Sequence, residues 1–519
     1  MKRTAKLPLA IALFLSCGTS LSAQSAENII ERHIKSLGGK KALKAVTSVR
    51  IAGSVTRNAA AGEPGEFLWQ TRTPGSLYME TRFGEQHRIE AYNGKSGWTE
   101  DSTGGLRTLT GREQARARAT ALYRNDHFRT YKQEKTKVRL VGRETIAGHA
   151  AFALELTTRS GLQRKLFFDA QNYLLLKDEE EREGGREEFF FGDYRAVDGV
   201  LEPFRITLRR GGETLDVTVR EVAHNRGVSS AVFDFPNRSA RPLPDLPAML
   251  SALVKNQKKI DDIREDYTFT SKETEIEIDG KGNIKPKSDE TYEVFFVHGR
   301  QVKKLVQKEG KPLSEAEQRK EEERVVKRIR EIEQRKKEHD ASAAKKAADQ
   351  KQRGNAGAEK DDDGFGISDF LRVCQLVNPR RERFSGREVI VFEFEPRPGY
   401  KARNRAESIA QKLVGVMWVD EDAQEVVRLE ARTTDSIRVG GGLVASLGKG
   451  AEFVFEQDRI NNEIWLPRYA EVNLSARLLL VAGIKVHRTE RFSDYKKFRI
   501  ETRQEFKPPA DAKPPENPH

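Results

Sequence analysis

The chain has 519 residues, carries a formal charge of +13 and contains two cysteines. At roughly 100–200 residues per domain this length makes two to four domains. An apolar content of 37% with 26 Phe excludes a wholly disordered chain. Two cysteines, neither in a CxxC, exclude a disulfide scaffold and a cysteine-held zinc or iron–sulfur centre.

Lys2, Arg3 and Lys6 precede an apolar run from Leu7 to Leu15, and small residues follow to Ser25. This is the pattern of a secretory signal peptide over 1–25. The run falls short of the roughly 20 apolar residues a membrane span needs. Cleavage after Ala23 removes three positive charges and leaves +10. Phe14-Leu15-Ser16-Cys17 resembles a lipoprotein signal with Phe in place of the usual Leu, so Cys17 is a candidate lipidation site. The exported chain is then expected in the periplasm, either free or anchored to a membrane through Cys17. Cys374 lies in the apolar stretch 370–377 and reads as a buried, unreactive thiol.

Ile29, Ile30, Ile34 and Leu37 recur at helical spacing, which predicts a helix within 26–46. Val49, Ile51, Gly53 and Val55 then alternate with more polar residues, the period of a strand with one wet face. Further strands are predicted at 65–73, 76–83, 86–93, 136–146, 149–158, 163–169, 172–181, 186–195, 202–210 and 213–222, with one helix at 111–124. Leu166-Phe167-Phe168, Leu174-Leu175-Leu176 and Phe189-Phe190-Phe191 are apolar on both faces and must be covered on both. Phe233-Asp234-Phe235-Pro236 closes this half, and Pro242, Pro244 and Pro247 mark a linker.

The second half repeats the order: a helix at about 246–260, then strands at 263–279, 288–300, 302–309, 380–396, 413–420, 424–438, 451–460, 463–480 and 484–503. Segment 313–363 interrupts it with Glu, Lys, Arg and Ala. Val325, Val326, Ile329 and Ile332 form a narrow apolar stripe, which predicts a solvated helix, and Lys345 to Asp363 reads as mobile. Gly440 to Gly450 lacks the spacing and the Ser/Thr of a phosphate loop and predicts a turn plus a short apolar helix. The Pro-rich segment 507–519 predicts a disordered tail.

No enzyme signature is present. There is no HExxH and no GxSxG, the nine histidines are scattered, and no residue set points to a catalytic centre, a metal or a cofactor. The basic residues are interleaved with acidic ones instead of forming a stripe, and export removes the chain from nucleic acid, leaving an anionic membrane surface as the natural counterpart of the charge.

Thr73-Pro74-Gly75-Ser76-Leu77-Tyr78-Met79-Glu80 followed by Tyr92-Asn93-Gly94-Lys95-Ser96-Gly97-Trp98 resembles the periplasmic lipoprotein-carrier (LolA-like) superfamily. Leu166 to Asp169, Gly192-Asp193-Tyr194 and Val232 to Pro236 look like the closing ladder of that family. The likeness covers about 26–237, and 246–503 resembles a diverged copy. It implies an α+β protein of two tandem curved antiparallel sheets, unclosed barrels, each with helices packed into or across the concave face. The implied domains are 26–237 and 248–506, joined by a Pro-rich linker at 238–247, with the charged insertion 313–363 in the second. The implied ligands are lipid or lipoprotein acyl chains, held in an apolar groove with Leu68, Leu77, Trp98, Phe167, Phe190, Trp418, Phe453 and Leu474 as candidate lining. Carriers of this kind place an Arg near the Pro-Gly strand start that helps latch a lid; here Tyr78 and Met79 stand there, with Arg82 further along. The main alternative is an envelope sensor or assembly protein that binds a protein partner through the same fold, which the resemblance to sensors of the MucB/RseB kind permits; a hydrolase of envelope material is a third, weaker reading.

Overall fold

The computed structural model describes residues 24–58, 63–182, 185–236, 241–279, 283–353, 367–439, 445–478 and 484–497. Cys17, most of the signal segment and the 507–519 tail lie outside them.

The first half opens with helices α1 (Ala26–Ser36) and α2 (Gly39–Ala45). A meander follows: β1 (Ser48–Arg57), β2 (Gly65–Arg72), β3 (Ser76–Phe83), β4 (Gln86–Tyr92), β5 (Gly97–Asp101) and β6 (Gly105–Thr108). Helix α3 (Gly111–Asp126) then leads to a second meander: β7 (Lys137–Ile146), β8 (His149–Thr157), β9 (Gln163–Asp169), β10 (Leu175–Arg182), β11 (Gly185–Val197), β12 (Val200–Arg210) and β13 (Glu213–His224). The sheet runs β6-β5-β4-β3-β2-β1-β13-β12-β11-β10-β9-β8-β7. First strand pairs with last, and β6 and β7 are its two unjoined ends. The β1–β13 register slips at Ala52/Gly53. A Cβ on Gly53 would collide with the Thr218 carbonyl oxygen, so glycine is required where these strands close up.

Strand parity divides this sheet into two apolar faces. The inner face carries Ile51, Val55, Phe67, Trp69, Leu77, Phe168, Phe189, Phe191, Ile206 and Val217, and it buries Ile29, Ile30 and Ile34 of α1 with Ala117, Ala121 and Tyr123 of α3. The alanines let α3 approach the strands closely. On the outer face Ile146, Ala151, Ala153 and Phe167 cluster with Leu176 and Phe190. This patch is covered by cations instead of a helix: Lys165 and Lys177 each lie 5.1 Å from the Phe167 ring and Arg209 lies 4.6 Å from Phe190. Elsewhere on the outer face, Ile89, Ala91 and Trp98 pack with Tyr78 and Phe235.

The second half begins with α4 (Leu246–Arg264), β14 (Tyr267–Ile278), β15 (Ile284–Val297), β16 (Arg300–Lys308) and β17 (Lys311–Pro312). Helices α5 (Glu315–Arg353) and α6 (Ile367–Val373) precede β18 (Cys374–Phe384) and β19 (Arg387–Pro396). Then come α7 (Arg405–Ala410), β20 (Leu413–Asp420), β21 (Glu425–Thr433), β22 (Ile437–Val439), β23 (Ala445–Leu447), β24 (Glu452–Ile460), β25 (Ile464–Leu478) and β26 (Ile484–Lys497). The main path is β17-β16-β15-β14-β26-β25-β24-β21-β20-β19-β18, with the β22–β23 hairpin hung on β25. Again the first long strand pairs with the last, antiparallel throughout and unclosed. Two open sheets with helices on their faces are therefore the architecture. Strands β19 and β20 are buried on both faces. Ile390, Phe392 and Met417 meet Met249 and Leu253 of α4 and Phe370 of α6 on one side, and Val389, Val391 and Trp418 meet Ile260 and Trp465 on the other. Cys374 is buried in the first of these clusters, and burial pushes its thiol up to about 12.

Three local readings are corrected. The strand expected over 380–396 is the hairpin β18–β19, turned at Ser385 and Gly386, both at positive φ. The short apolar helix expected within 440–450 is strand at Ala445–Leu447, because β25 outruns β24 and its free backbone groups accept a pairing partner. The expected mobile stretch from Lys345 is helical as far as Arg353, through a run of Ala, Lys and Gln that favours helix without an apolar stripe; residues 354–363 lie outside the described ones. Helix α5 docks by part of its stripe: Val325, Ile329 and Ile332 pack on Val302, Phe295 and Val297, while Val326 is exposed.

Candidate functional site

The concave face of the first sheet holds a cavity of about 80 Å³, walled by Val49, Ile51, Trp69, Phe128, Leu175, Phe191 and Ile206 and bounded by His33, Tyr123 and Arg124. Local sequence explains each wall. Helix α1 is capped by Ser25, whose Oγ accepts from the Asn28 amide at 3.2 Å, and its isoleucines face inward. Helix α3 ends at His127 with left-handed backbone, which turns the chain so that Phe128 folds back under the sheet. Trp69 and Phe191 arrive by the same strand parity as Ile51.

Two ties hold α1 against the turn between β9 and β10. The Tyr173 hydroxyl accepts from Gln24 Nε2 at 2.6 Å and from Arg32 Nη1 at 2.7 Å, and His33 Nδ1 meets the Tyr173 carbonyl at 2.9 Å. Burial lowers the His33 imidazole to about 4 and the His127 imidazole to about 3, so both are neutral at pH 7. Arg124 brings a cation to this apolar space. Its guanidinium sits 4.3 Å from the Phe191 ring and 5.2 Å from Trp69, and it donates to Asp178 at 3.0 Å. Asp178 is also gripped by Arg164 through two hydrogen bonds of 3.1 and 2.8 Å. Burial holds the Arg124 guanidinium below its ordinary range. Trp69 Nε1 is buried without a partner. The cavity thus offers hydrocarbon contact, the Arg124 cation, the Glu202 carboxylate at its wall and the unspent Trp69 donor.

The predicted groove residues are not gathered into one place. Leu77 joins the inner-face core, whereas Trp98, Phe167 and Phe190 belong to the outer-face clusters. Leu68 is half-buried, one residue out of phase with the cavity-lining Trp69. Trp418 is fully buried between the sheet and α4. Phe453 is half-buried and lines a cavity between the two halves. The Leu474 side chain lies outside the described residues. Missed were Trp69, Arg124, Phe128 and Phe191. A signal for two of them was present: counting parity from Ile51 across β2, and from Phe189 along β11, puts Trp69 and Phe191 inward. Arg82, further along from the Pro-Gly strand start, pairs with Glu80.

The two halves meet through buried carboxylates of the second sheet. Glu393 accepts from Ser96 Oγ at 2.5 Å and Asn93 Nδ2 at 2.9 Å; Glu382 accepts from the Thr108 amide at 2.8 Å; Glu430 accepts from the Gly111 amide, at the N-terminus of α3, at 2.7 Å. Arg432 donates to the Gly94 carbonyl at 2.7 Å, and the Arg380 guanidinium lies 4.6 Å from the Phe235 ring. The Gly94–Gly97 hairpin and Phe233–Pro236 therefore form the seam.

No family model and no curated protein matches this chain. Among solved structures, a LolA-superfamily protein from Nitrosomonas europaea is 16% identical, covers 40% of this chain and 97% of its own, and has a TM-score of 0.28. A DUF1329-family protein from Desulfovibrio piger is 12% identical over 40% of this chain and 97% of its own, with a TM-score of 0.29. The MucA/MucB complex of Pseudomonas aeruginosa is 9% identical over 90% of this chain and 98% of its own, with a TM-score of 0.19.

Proposed function

We propose that this is an exported envelope protein that binds the hydrocarbon chain of a lipid or lipoprotein on the concave face of its first sheet. One observation carries the reading: an aromatic and aliphatic cavity lies directly beneath α1, a helix fastened at its rim by polar contacts to Tyr173. At about 80 Å³ the cavity takes only the end of a chain, since a cavity of about 150 Å³ holds a single benzene. Lifting α1 would withdraw Ile29, Ile30 and Ile34 and open a trough along the sheet. Each methylene entering it gains about 0.8 kcal/mol, so affinity needs no directed chemistry. The role in lipoprotein or lipid sorting follows the sequence resemblance.

The test is native mass spectrometry of protein extracted from membranes, together with titration of delipidated protein with a fluorescent fatty acid. Retained acyl ligand and saturable binding abolished by Ile206→Trp are expected. Absence of any retained ligand together with no saturable binding would sink the proposal.

A further inference from the structure

Between the halves lie two adjoining cavities of about 300 and 220 Å³ that share Tyr92, Ala115, Arg118, Ser160 and Arg432 as lining. Their surface is strongly basic. Arg118 and Arg159 come from the first half, and Arg432 and Lys449 from the second.

The nearby carboxylates are mostly engaged. Glu452 pairs with Arg118, Glu430 with Arg428, and Glu471 with His487 at 2.9 Å; Glu134 is the remaining acid of the wall. By contrast Arg159, Arg432 and Lys449 have no carboxylate within ion-pair distance among the described residues. Arg159 donates to the Lys449 carbonyl and Arg432 to that of Gly94, and the Nε of each arginine is left without a partner. Burial works most strongly against the Arg159 charge and Arg118 repels it, while Glu452 and Glu134 act at longer range in its favour. Hydroxyls stand beside them: Thr158 and Ser160, with their oxygens 3.0 Å apart, and Thr433. Guanidiniums with spare donors lining one cavity, flanked by hydroxyls, suit a tetrahedral oxyanion, because a guanidinium fork matches phosphate geometry.

We infer that this cavity binds a phosphate group, clasped by Arg159 of the first half and by Arg432 and Lys449 of the second. The phosphate is either free or borne by a lipid head group. Its charge offsets that of the three cations, which have no carboxylate partner, and cross-links the two sheets. The inference does not rest on hydrocarbon binding beneath α1.

The test is calorimetric titration of the full exported chain with inorganic phosphate and, separately, with dihexanoyl phosphatidic acid, which is soluble below its micelle concentration. Saturable binding is expected, weakened about tenfold or more in Arg159→Gln/Arg432→Gln and unchanged in the surface variant Arg195→Gln. Binding of both ligands identifies the phosphate group itself as sufficient; binding of the lipid alone identifies a head group. No saturable binding of either, or equal affinity in the double variant, overturns the inference. Should the double variant fail to fold, phenylglyoxal modification of the wild-type chain decides. Phosphate is expected to slow the labelling of Arg159 and Arg432 severalfold while leaving Arg195 unaffected, and equal labelling overturns the inference.

Discussion

Arg32 on α1 and Tyr173 in the turn after β9 are 141 positions apart in sequence and are joined by a 2.7 Å hydrogen bond, with the guanidinium 5.0 Å from the phenol ring. The contact is exposed, so it fastens the helix over the concave cavity at little energetic depth. Tyr173→Phe removes the hydroxyl that both Gln24 and Arg32 use and leaves the ring and the carbonyl to His33. The expected result is a stability loss of about 1 kcal/mol in urea denaturation and faster, tighter uptake of a fluorescent fatty acid. Unchanged uptake would separate α1 from any gating role.

His33 makes the same region sensitive to acid. Burial depresses its folded pKa from 6.5 to about 4, so between these values the unfolded chain binds the extra proton. Its stabilising contribution is complete above pH 6.5 and is lost as pH falls towards 4, to a total of about 3 kcal/mol. Denaturation midpoints measured from pH 7.5 to 4 should fall less steeply in His33→Phe than in the wild type, once each is referred to its own value at pH 7.5.

Glu425 acts in the opposite sense in the second sheet. Burial alone raises its carboxyl from 4.5 to about 7, and Oε2 has no partner. The folded state therefore holds the proton that the unfolded state releases, and stability from this group declines as pH rises from 4.5 to 7. Glu425→Gln should stabilise the chain at pH 8 by about 1–2 kcal/mol, allowing for partial solvent screening, and leave it nearly unchanged at pH 4. Thermal melts at the two pH values check this.

Glu393 governs the seam. Its carboxylate is 1% exposed and accepts from Ser96, Asn93 and Asn378. Glu393→Ala leaves those donors and the neighbouring Arg380 short of a partner, and should cost about 3–5 kcal/mol. Scanning calorimetry is expected to show one transition in the wild type and two, one for each sheet, in the variant.

Helix α5 is attached to the second sheet by very little. Ile332 is 1% exposed and packs with Val302 and Val325. Ile332→Asp should detach the helix, making 315–353 cleavable by trypsin within minutes while the melting of the rest of the chain stays the same. Resistance to cleavage in the variant would show that the polar ties, such as the 2.7 Å bond from the Leu305 amide to Glu321, hold it unaided.

Most strands and their grouping into two halves are legible in the residue pattern. Period-two alternation in Ile51 to Val55, and turn residues between the later runs, are local properties of a half-buried sheet. The runs Leu166-Phe167-Phe168 and Phe189-Phe190-Phe191 also announced that both faces would be covered. They could not say which face would be the cavity, because a doubly apolar strand has no marked parity. Phe167 and Phe190, which the resemblance implies as groove lining, stand on the outer face beneath Lys177. That Trp69, Phe189 and Phe191 surround Arg124 is a matter of tertiary packing, since it depends on where α3 crosses between the two sheet ends. Tertiary packing alone also brought Arg159, Arg432 and Lys449 together. Arg159 lies far from Arg432 and Lys449 in sequence, so their meeting leaves no periodic trace; it is fixed by how the hairpin at Gly94–Gly97 seats against the buried carboxylates of the second sheet.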